Sequence, residues 1–378
     1  MEPIISVVNA EINVFIWERS DWPRFTWHSD RIMARLAAVR HGQGRVLGRM
    51  ERLGFLLKQE AFLRTLTQDV VKSSEIEGAR LDADQVRSSI ARRLGMDVAG
   101  LVAADRHVDG VVEMMLDATQ HFDRPLSAKR LFAWHASLFP IGHSGMSRIR
   151  VGAWRDDSRG PMRVVSGPIG RERVHYEAPP AEQVPAEMKT FLEWFNAPSD
   201  LDLVLKSALA HFWFVTIHPF EDGNGRIARA IADLTLARSE SSPQRFYSMS
   251  SQIRLERSAY YKVLERSQKG ALDITHWLEW FLDCLGRAIA SSDAALSDVM
   301  RKAQFWGRFA QAGLNERQVD VLNRMLDGFE GKMTSSKWAK LAKCSQDTAH
   351  RDIQDLIKRG ALKRNPAGGR STSYDLDL

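Results

Sequence analysis

The stretch from His218 to Arg229 reads His-Pro-Phe-Glu-Asp-Gly-Asn-Gly-Arg-Ile-Ala-Arg, and it constrains the fold more than any other. An apolar run, 201–217, leads into it, and a second, 227–237, follows. In both, apolar residues recur at three- and four-residue spacing, which predicts two helices joined by a tight loop. Pro219 biases His218 away from the helical region, so the first helix is expected to end there. Gly223 and Gly225 permit a sharp turn and a close backbone approach to a ligand. The second helix then aims its N-terminus at the loop, where free N–H groups and the helix dipole favour an anion. Arg226 and Arg229, one turn apart, add two guanidinium groups suited to phosphate. An acidic Asp222 inside an anion site makes sense if a divalent metal bridges it to phosphate oxygens. His218, at the rim, is placed to accept a proton. Each residue alone would suit an ordinary polar turn, but their combination suits phosphate chemistry.

The rest of the composition sets wide bounds. A chain of 378 residues, 44% hydrophobic and 26% charged, has the make-up of a soluble globular protein of two or three domains. Its net charge of +6 permits a nucleotide or nucleic-acid partner without requiring one. The two cysteines, Cys284 and Cys344, are far apart and give neither a metal spacing nor a disulfide framework. A reducing cytoplasm is therefore the expected setting. The N-terminus lacks the basic and apolar regions of a signal peptide, and no run of 18 apolar residues is found, so no membrane association is expected.

Taken in order, the chain opens with an aromatic cluster, Trp17, Trp22, Phe25 and Trp27, expected to pack locally. Amphipathic helices are predicted over about 30–42 and 46–72, separated by a break at Gly42-Gln43-Gly44. Glu75 and Glu77 then fall at a helix C-terminus, the unfavourable end for carboxylates, and this suggests an arginine partner. Gly78 is placed to end that helix. Further helices are predicted over 84–95, 109–122, 128–138 and 184–196, with Ser127 as a cap. Between them, 142–180 is rich in Gly and Pro and holds two strand-like runs, 162–165 and 173–176, read as a β-hairpin with an unpaired edge. After the central loop come a helix with the tyrosine pair Tyr260 and Tyr261, an apolar helix over 273–289 and a connecting helix over 291–312. The last segment predicts helices capped by Asn315, Thr334 and Ser345, then a hairpin around a Pro366, Gly368, Gly369 turn. It carries 12 lysines and arginines against nine acids, with Lys358, Arg359, Lys363, Arg364 and Arg370 clustered.

The pattern His-x-Phe-x-(Asp/Glu)-Gly-Asn-Gly-Arg-x-x-Arg, met here at every defined position, resembles the signature of Fic-domain proteins. Ser73-x-x-x-Glu77-Gly78 is similar to the inhibitory motif that many of them carry. The opening segment, the run 150–155 and the run 178–180 also resemble Fic sequences. The resemblance implies a mainly α fold: a Fic-type helical core with a small β-hairpin flap, followed by a segment similar to a winged helix-turn-helix. The domains expected are 1–100 (N-terminal extension with the inhibitory motif), 101–290 (catalytic core), 291–312 (connecting helix) and 313–378 (winged helix). The implied activity is protein adenylyltransfer, from ATP with Mg²⁺ to a Ser, Thr or Tyr hydroxyl of a target or of the chain itself. His218 would be the base and Asp222 the metal ligand. Gly223, Asn224, Gly225, Arg226 and Arg229 would bind phosphates and stabilise developing charge. Glu77, with Ser73, would inhibit by pairing with Arg229.

Further roles come from the same resemblance. Tyr260 and Gln268 would line an adenine pocket, although asparagine is commoner than glutamine at the second position. His135 would be a scaffold residue. The flap at 163–176 would hold the target by strand addition, and inhibitory contacts between protomers make a homodimer reasonable. The alternatives are removal of AMP from a modified protein, a transferase with another nucleotide donor, or a DNA-binding regulator with a nucleotide-sensing core.

Overall fold

In the computed structural model the first helix, α1 (Ser29–Glu51), runs unbroken through Gly42 and Gly44, where a break is predicted. Close packing explains the first glycine: a Cβ on Gly42 would come within 3.0 Å of the Ile289 side chain. Gly42 marks a helix contact rather than a helix end. The structure describes residues 14–51, 54–96, 101–168, 170–309, 312–326, 331–366 and 372–377. The turn residues Gly368 and Gly369, and Arg370, lie outside them.

The chain divides into two compact units, Met1–Ser292 and Asp293–Leu378. In the first, α2 (Phe55–Ile76) is followed by α3 (Ala83–Arg93), α4 (Arg106–Gln120) and α5 (Ala128–Leu138). The side chains of Asp82, Asp105 and Ser127 accept from free N–H groups at the starts of these last three helices, as N-caps do. Two short antiparallel hairpins come next: β1 (His143–Ser144) with β2 (Ser147–Arg148), and β3 (Arg163–Ser166) with β4 (Arg173–Glu177). The second pairs Arg163 with Glu177 and Ser166 with Arg173, with a register shift between Val164 and Val165. Then come α6 (Val184–Asn196), α7 (Leu203–Ile217), α8 (Asn224–Glu240), α9 (Met249–Leu255) and α10 (Arg257–Ser267). The next helix, α11 (Thr275–Phe309), begins in the first unit, runs past its end at Ser292, and is continuous across the segment expected to hold a separate connecting helix.

The innermost pair is α7 and α8. Every residue from Val204 to Ile217 is buried, so α7 has no solvent face. The two helices pack along each other, with α4 and α5 against α8, α6 against α7, and α2 touching α8 as well as α3, α4 and α9. The N-terminal aromatics cover α7: Trp22 and Phe25 make edge contacts with Trp213, and Phe25 with Phe212.

The second unit holds α12 (Glu316–Leu326), α13 (Ser335–Leu341) and α14 (Gln346–Lys358), followed by an antiparallel hairpin of β5 (Leu362–Arg364) and β6 (Tyr374–Leu376). Asn315, Thr334 and Ser345 accept N–H bonds at the starts of the three helices. Trp338, Val321, Leu322, Ile353 and Leu356 form its core. Met333 bridges to Tyr374, beside the hairpin. No helix among the described residues is long and apolar enough to cross a membrane.

Candidate active site

Helix α7 ends at His218, whose backbone is left-handed at φ 52° and ψ 57°. A histidine held at positive φ needs outside support, because the side chain disfavours that region. Arg155 supplies it from the coil after the first hairpin: its Nε donates to the His218 carbonyl at 2.8 Å, and its backbone N–H donates to the Pro219 carbonyl at 2.9 Å. The same fully buried guanidinium pairs with Asp157 and donates to the Pro179 carbonyl.

His218 Nδ1 lies 3.2 Å from the Val215 carbonyl, the partner that fixes a proton on Nδ1 and leaves Nε2 as the free acceptor. Burial lowers the His218 pKa to about 4, and the Arg155 charge adds to the shift. The imidazole is therefore neutral, the form a base requires.

The turn is closed from within. Asn224 Oδ1 accepts the Phe220 N–H at 3.0 Å, and its Nδ2 donates to the Phe220 carbonyl at 2.8 Å. The buried Asn224 amide is thereby engaged in shaping the loop. The Phe220 ring stacks on His135 at 4.2 Å. His135 accepts the Gly152 N–H at Nδ1 (3.1 Å), so Nε2 carries the proton and reaches the Asp222 carbonyl at 3.2 Å. Burial lowers His135 to about 4, in keeping with a neutral scaffold.

Gly223, at φ 82°, turns the chain into α8, whose first residues sit at the site. Arg226 is buried over the Phe139 ring at 5.0 Å, and its Nε has no hydrogen-bond partner. An unpaired nitrogen on a buried cation is costly and suits an anionic ligand. Arg229 is fully committed: Nε donates to Ser73 Oγ at 2.9 Å, Nη2 to the Ser73 carbonyl at 2.8 Å, and Nη1 pairs with Glu77 Oε1 at 2.8 Å.

Glu77 stands directly on the α8 N-terminus. A Cβ on Gly225 would lie 2.2 Å from Glu77 Oε1, so only glycine admits the carboxylate there. The other carboxylate oxygen accepts from the Tyr261 hydroxyl at 3.2 Å. The end of α2 that presents Glu77 is fixed. Gly78, at φ 85°, donates to Glu75 and Ala79 donates to Ser74, closing a Schellman turn. Arg257 Nε donates to the Ile76 carbonyl at 2.6 Å. Glu75, the other acid at this helix end, pairs with Lys72 and Arg254.

Asp222 accepts from the Ser144 hydroxyl and from the Gly223 N–H, and lies 3.9 Å from Arg226. Its side chain is 43% exposed. Among the described residues no group of three or more His, Cys, Asp or Glu side chains stands together. A magnesium ion bound with phosphates needs only one or two protein carboxylates, so the lone, accessible Asp222 fits it.

Tyr260 and Gln268 are both buried with their polar ends engaged. The Tyr260 hydroxyl lies 2.9 Å from His211, and Gln268 donates to Thr216 at 3.2 Å. Tyr261 reaches Glu77 and Ile76 at the end of α2, and Tyr260 lies against Arg229. Sequence reasoning gave no role to Tyr261, Ser144 or Arg155. Their contacts with His218, Asp222 and Glu77 span between 63 and 184 positions in sequence, and no local pattern marks such pairs.

The β3–β4 hairpin is tied to the site by Tyr176, whose buried hydroxyl donates to the Thr216 carbonyl at 2.6 Å. Glu265 on α10 holds Arg173 and His175. Val165 and Val174 are exposed on this hairpin, which is two-stranded among the described residues.

A neutral histidine, a helix N-terminus and two buried arginines stand around one tight loop in a helical fold, an arrangement suited to an anionic group. Residues 125–236, which contain it, match the Fic/DOC family. Residues 15–96 match a domain of unknown function, DUF4172. A crystal structure of a Fic family protein from Desulfovibrio desulfuricans is similar over 93% of this chain and 97% of that one, with a TM-score of 0.52 and 23% identity, so the fold is shared. Among curated proteins, "Protein adenylyltransferase Fic" of Drosophila willistoni is 25% identical over 253 residues, 64% of this chain and 44% of that protein. The Drosophila melanogaster protein of the same name is 24% identical over the same shares. The chain thus spans less than half the length of these relatives.

Proposed function

We propose that the protein transfers AMP from ATP to a hydroxyl of a protein, and that Glu77 holds this activity down. The observation that carries the reading is the seat of Glu77: a carboxylate occupies the α8 N-terminus and pairs with Arg229, where a phosphate would otherwise bind. In the reaction, the acceptor oxygen forms a bond to the α-phosphorus and the bond to the bridging oxygen breaks, releasing pyrophosphate. His218 takes the acceptor proton at Nε2. The N–H groups of the loop and of the α8 N-terminus meet the charge that develops. Arg226 holds the leaving phosphates, and Arg229 joins it once free of Glu77. Mg²⁺, held at Asp222, would neutralise phosphate charge. As in other phosphoryl transfers, positioning and electrostatics provide most of the acceleration.

The acceptor segment docks along the β3–β4 hairpin by strand addition. The Tyr176 tether to Thr216, two residues before His218, fixes that edge relative to the base.

Labelling with radioactive ATP tests the reading. Glu77→Gly is expected to label itself well above the parent, by roughly tenfold or more if releasing Arg229 is worth about 1.4 kcal/mol. His218→Ala in that background is expected to lose labelling. Equal labelling in all three proteins would overturn it. Faster loss than gain of label on a pre-modified target would instead favour the reverse reaction.

A further inference from the structure

We infer that the second unit is a winged helix-turn-helix that binds duplex DNA through the outer face of α14. This inference is independent of the transfer reading. Helices α13 and α14 are separated by four residues, among them Lys343 at φ 49°, a left-handed turn that swings one helix across the other. Helix α14 is two-faced. Ala349, Ile353 and Leu356 are buried in the core with Trp338, while Gln346, His350, Arg351, Gln354 and Lys358 are exposed. A solvent-facing second helix of this motif, 13 residues long, fits the major groove. The side chains it presents are the types that read base edges: arginine for guanine, glutamine for adenine.

Charge supports duplex DNA over a protein partner. The stretch 335–366 carries eight lysines and arginines against three aspartates. Two of those aspartates face inward or sideways: Asp352 is buried beside Arg317, and Asp355 pairs with Arg359. Only Asp347 is an exposed acid on α14. Lys340 and Lys343 precede the helix, and Arg364 on β5 follows it with Lys363, which pairs with Asp377 at 3.8 Å, all four exposed. Cations therefore flank the outer face of α14 in sequence on both sides, where phosphates border a groove.

The test is binding of the full chain to a fluorescein-labelled mixed-sequence duplex of about 30 base pairs, roughly three helical turns. Binding is expected at low salt, with log affinity falling by about 0.9 per phosphate contact for each tenfold rise in salt. Arg351→Ala with Lys358→Ala should weaken it roughly tenfold or more without changing the melting temperature. Arg24→Ala with Lys189→Ala, which removes equal charge from exposed sites of the first unit, should leave it unchanged. Failure of the parent to bind at low salt would overturn the inference and leave the face to a protein partner. So would salt-insensitive binding, or equal weakening by both pairs.

Discussion

Arg155 holds the His218 carbonyl from outside the loop, and the direction of the imidazole depends on that contact. Replacing it with methionine keeps bulk but releases the one residue of the loop whose backbone is left-handed without being glycine. In a Glu77→Gly background, Arg155→Met is expected to lower the labelling rate by about a hundredfold, the usual cost of a small misplacement, with nucleotide affinity little changed. An affinity loss as large as the rate loss would place Arg155 in nucleotide binding instead. The depressed pKa of His218 makes a second expectation. Its base form persists down to about 4, so labelling by Glu77→Gly should be level between about pH 6 and about pH 8. A rise centred near the ordinary histidine pKa would show that the imidazole is solvated during the reaction.

Helix α2 is fastened to the core twice, one turn apart. The upper fastening is Arg229 with Ser73 and Glu77. The lower is a buried cluster in which Arg245 bridges Asp69 of α2, at 3.2 Å, and Asp233 of α8, at 2.6 Å. Asp69 also accepts from Ser248 and Ser250. Two carboxylates on one guanidinium leave excess negative charge, and burial followed by the Asp69 charge raises Asp233 to about 8. Breaking such a buried pair costs roughly 3–5 kcal/mol. Arg245→Met should thus lower the melting temperature and raise self-labelling, though less than Glu77→Gly, because the Arg229 contacts remain. Unchanged labelling in a destabilised protein would mean that the lower fastening serves stability alone.

The elements were unevenly legible in the sequence. Ser127, Thr334 and Ser345 each sit before an amphipathic run, and each caps a helix. The Glu77–Arg229 pair was legible only through two motifs lying 152 positions apart, read as one device. Gly42 misled because a helix-breaking residue and a close-packing residue look the same in one dimension. Arg155 was legible only as the end of the run 150–155 and Tyr261 only as half of a pair, since a contact formed by chain folding has no spacing rule.

At the scale of the molecule, the two units have separate cores and different acid responses. The first buries His135, His211 and His218, whose pKa values burial lowers to about 4, 3 and 4. As pH falls below the ordinary histidine value of about 6.5, the unfolded chain gains protons that the folded unit cannot, so stability declines towards pH 4. Asp233 and Glu240, raised by burial, act the other way, but the three histidines outnumber them. The second unit has one histidine, His350, and it is exposed. Calorimetry should resolve two transitions, with the first unit's moving to lower temperature between about pH 6.5 and about pH 5 while the other stays nearly still. A single transition moving as one would count against independent cores.

Gly225 has a consequence of its own. The carboxylate of Glu77 lies where the smallest possible side chain would begin. A single methyl group, placed by Gly225→Ala, should push the Glu77 carboxylate off the α8 N-terminus, so that the end of α2 loses that contact while every charged group stays in the protein. The loosened segment after Gly78 should then be cut faster by a protease, whether or not any nucleotide is present. The resting state of this molecule would thus rest on one missing carbon atom.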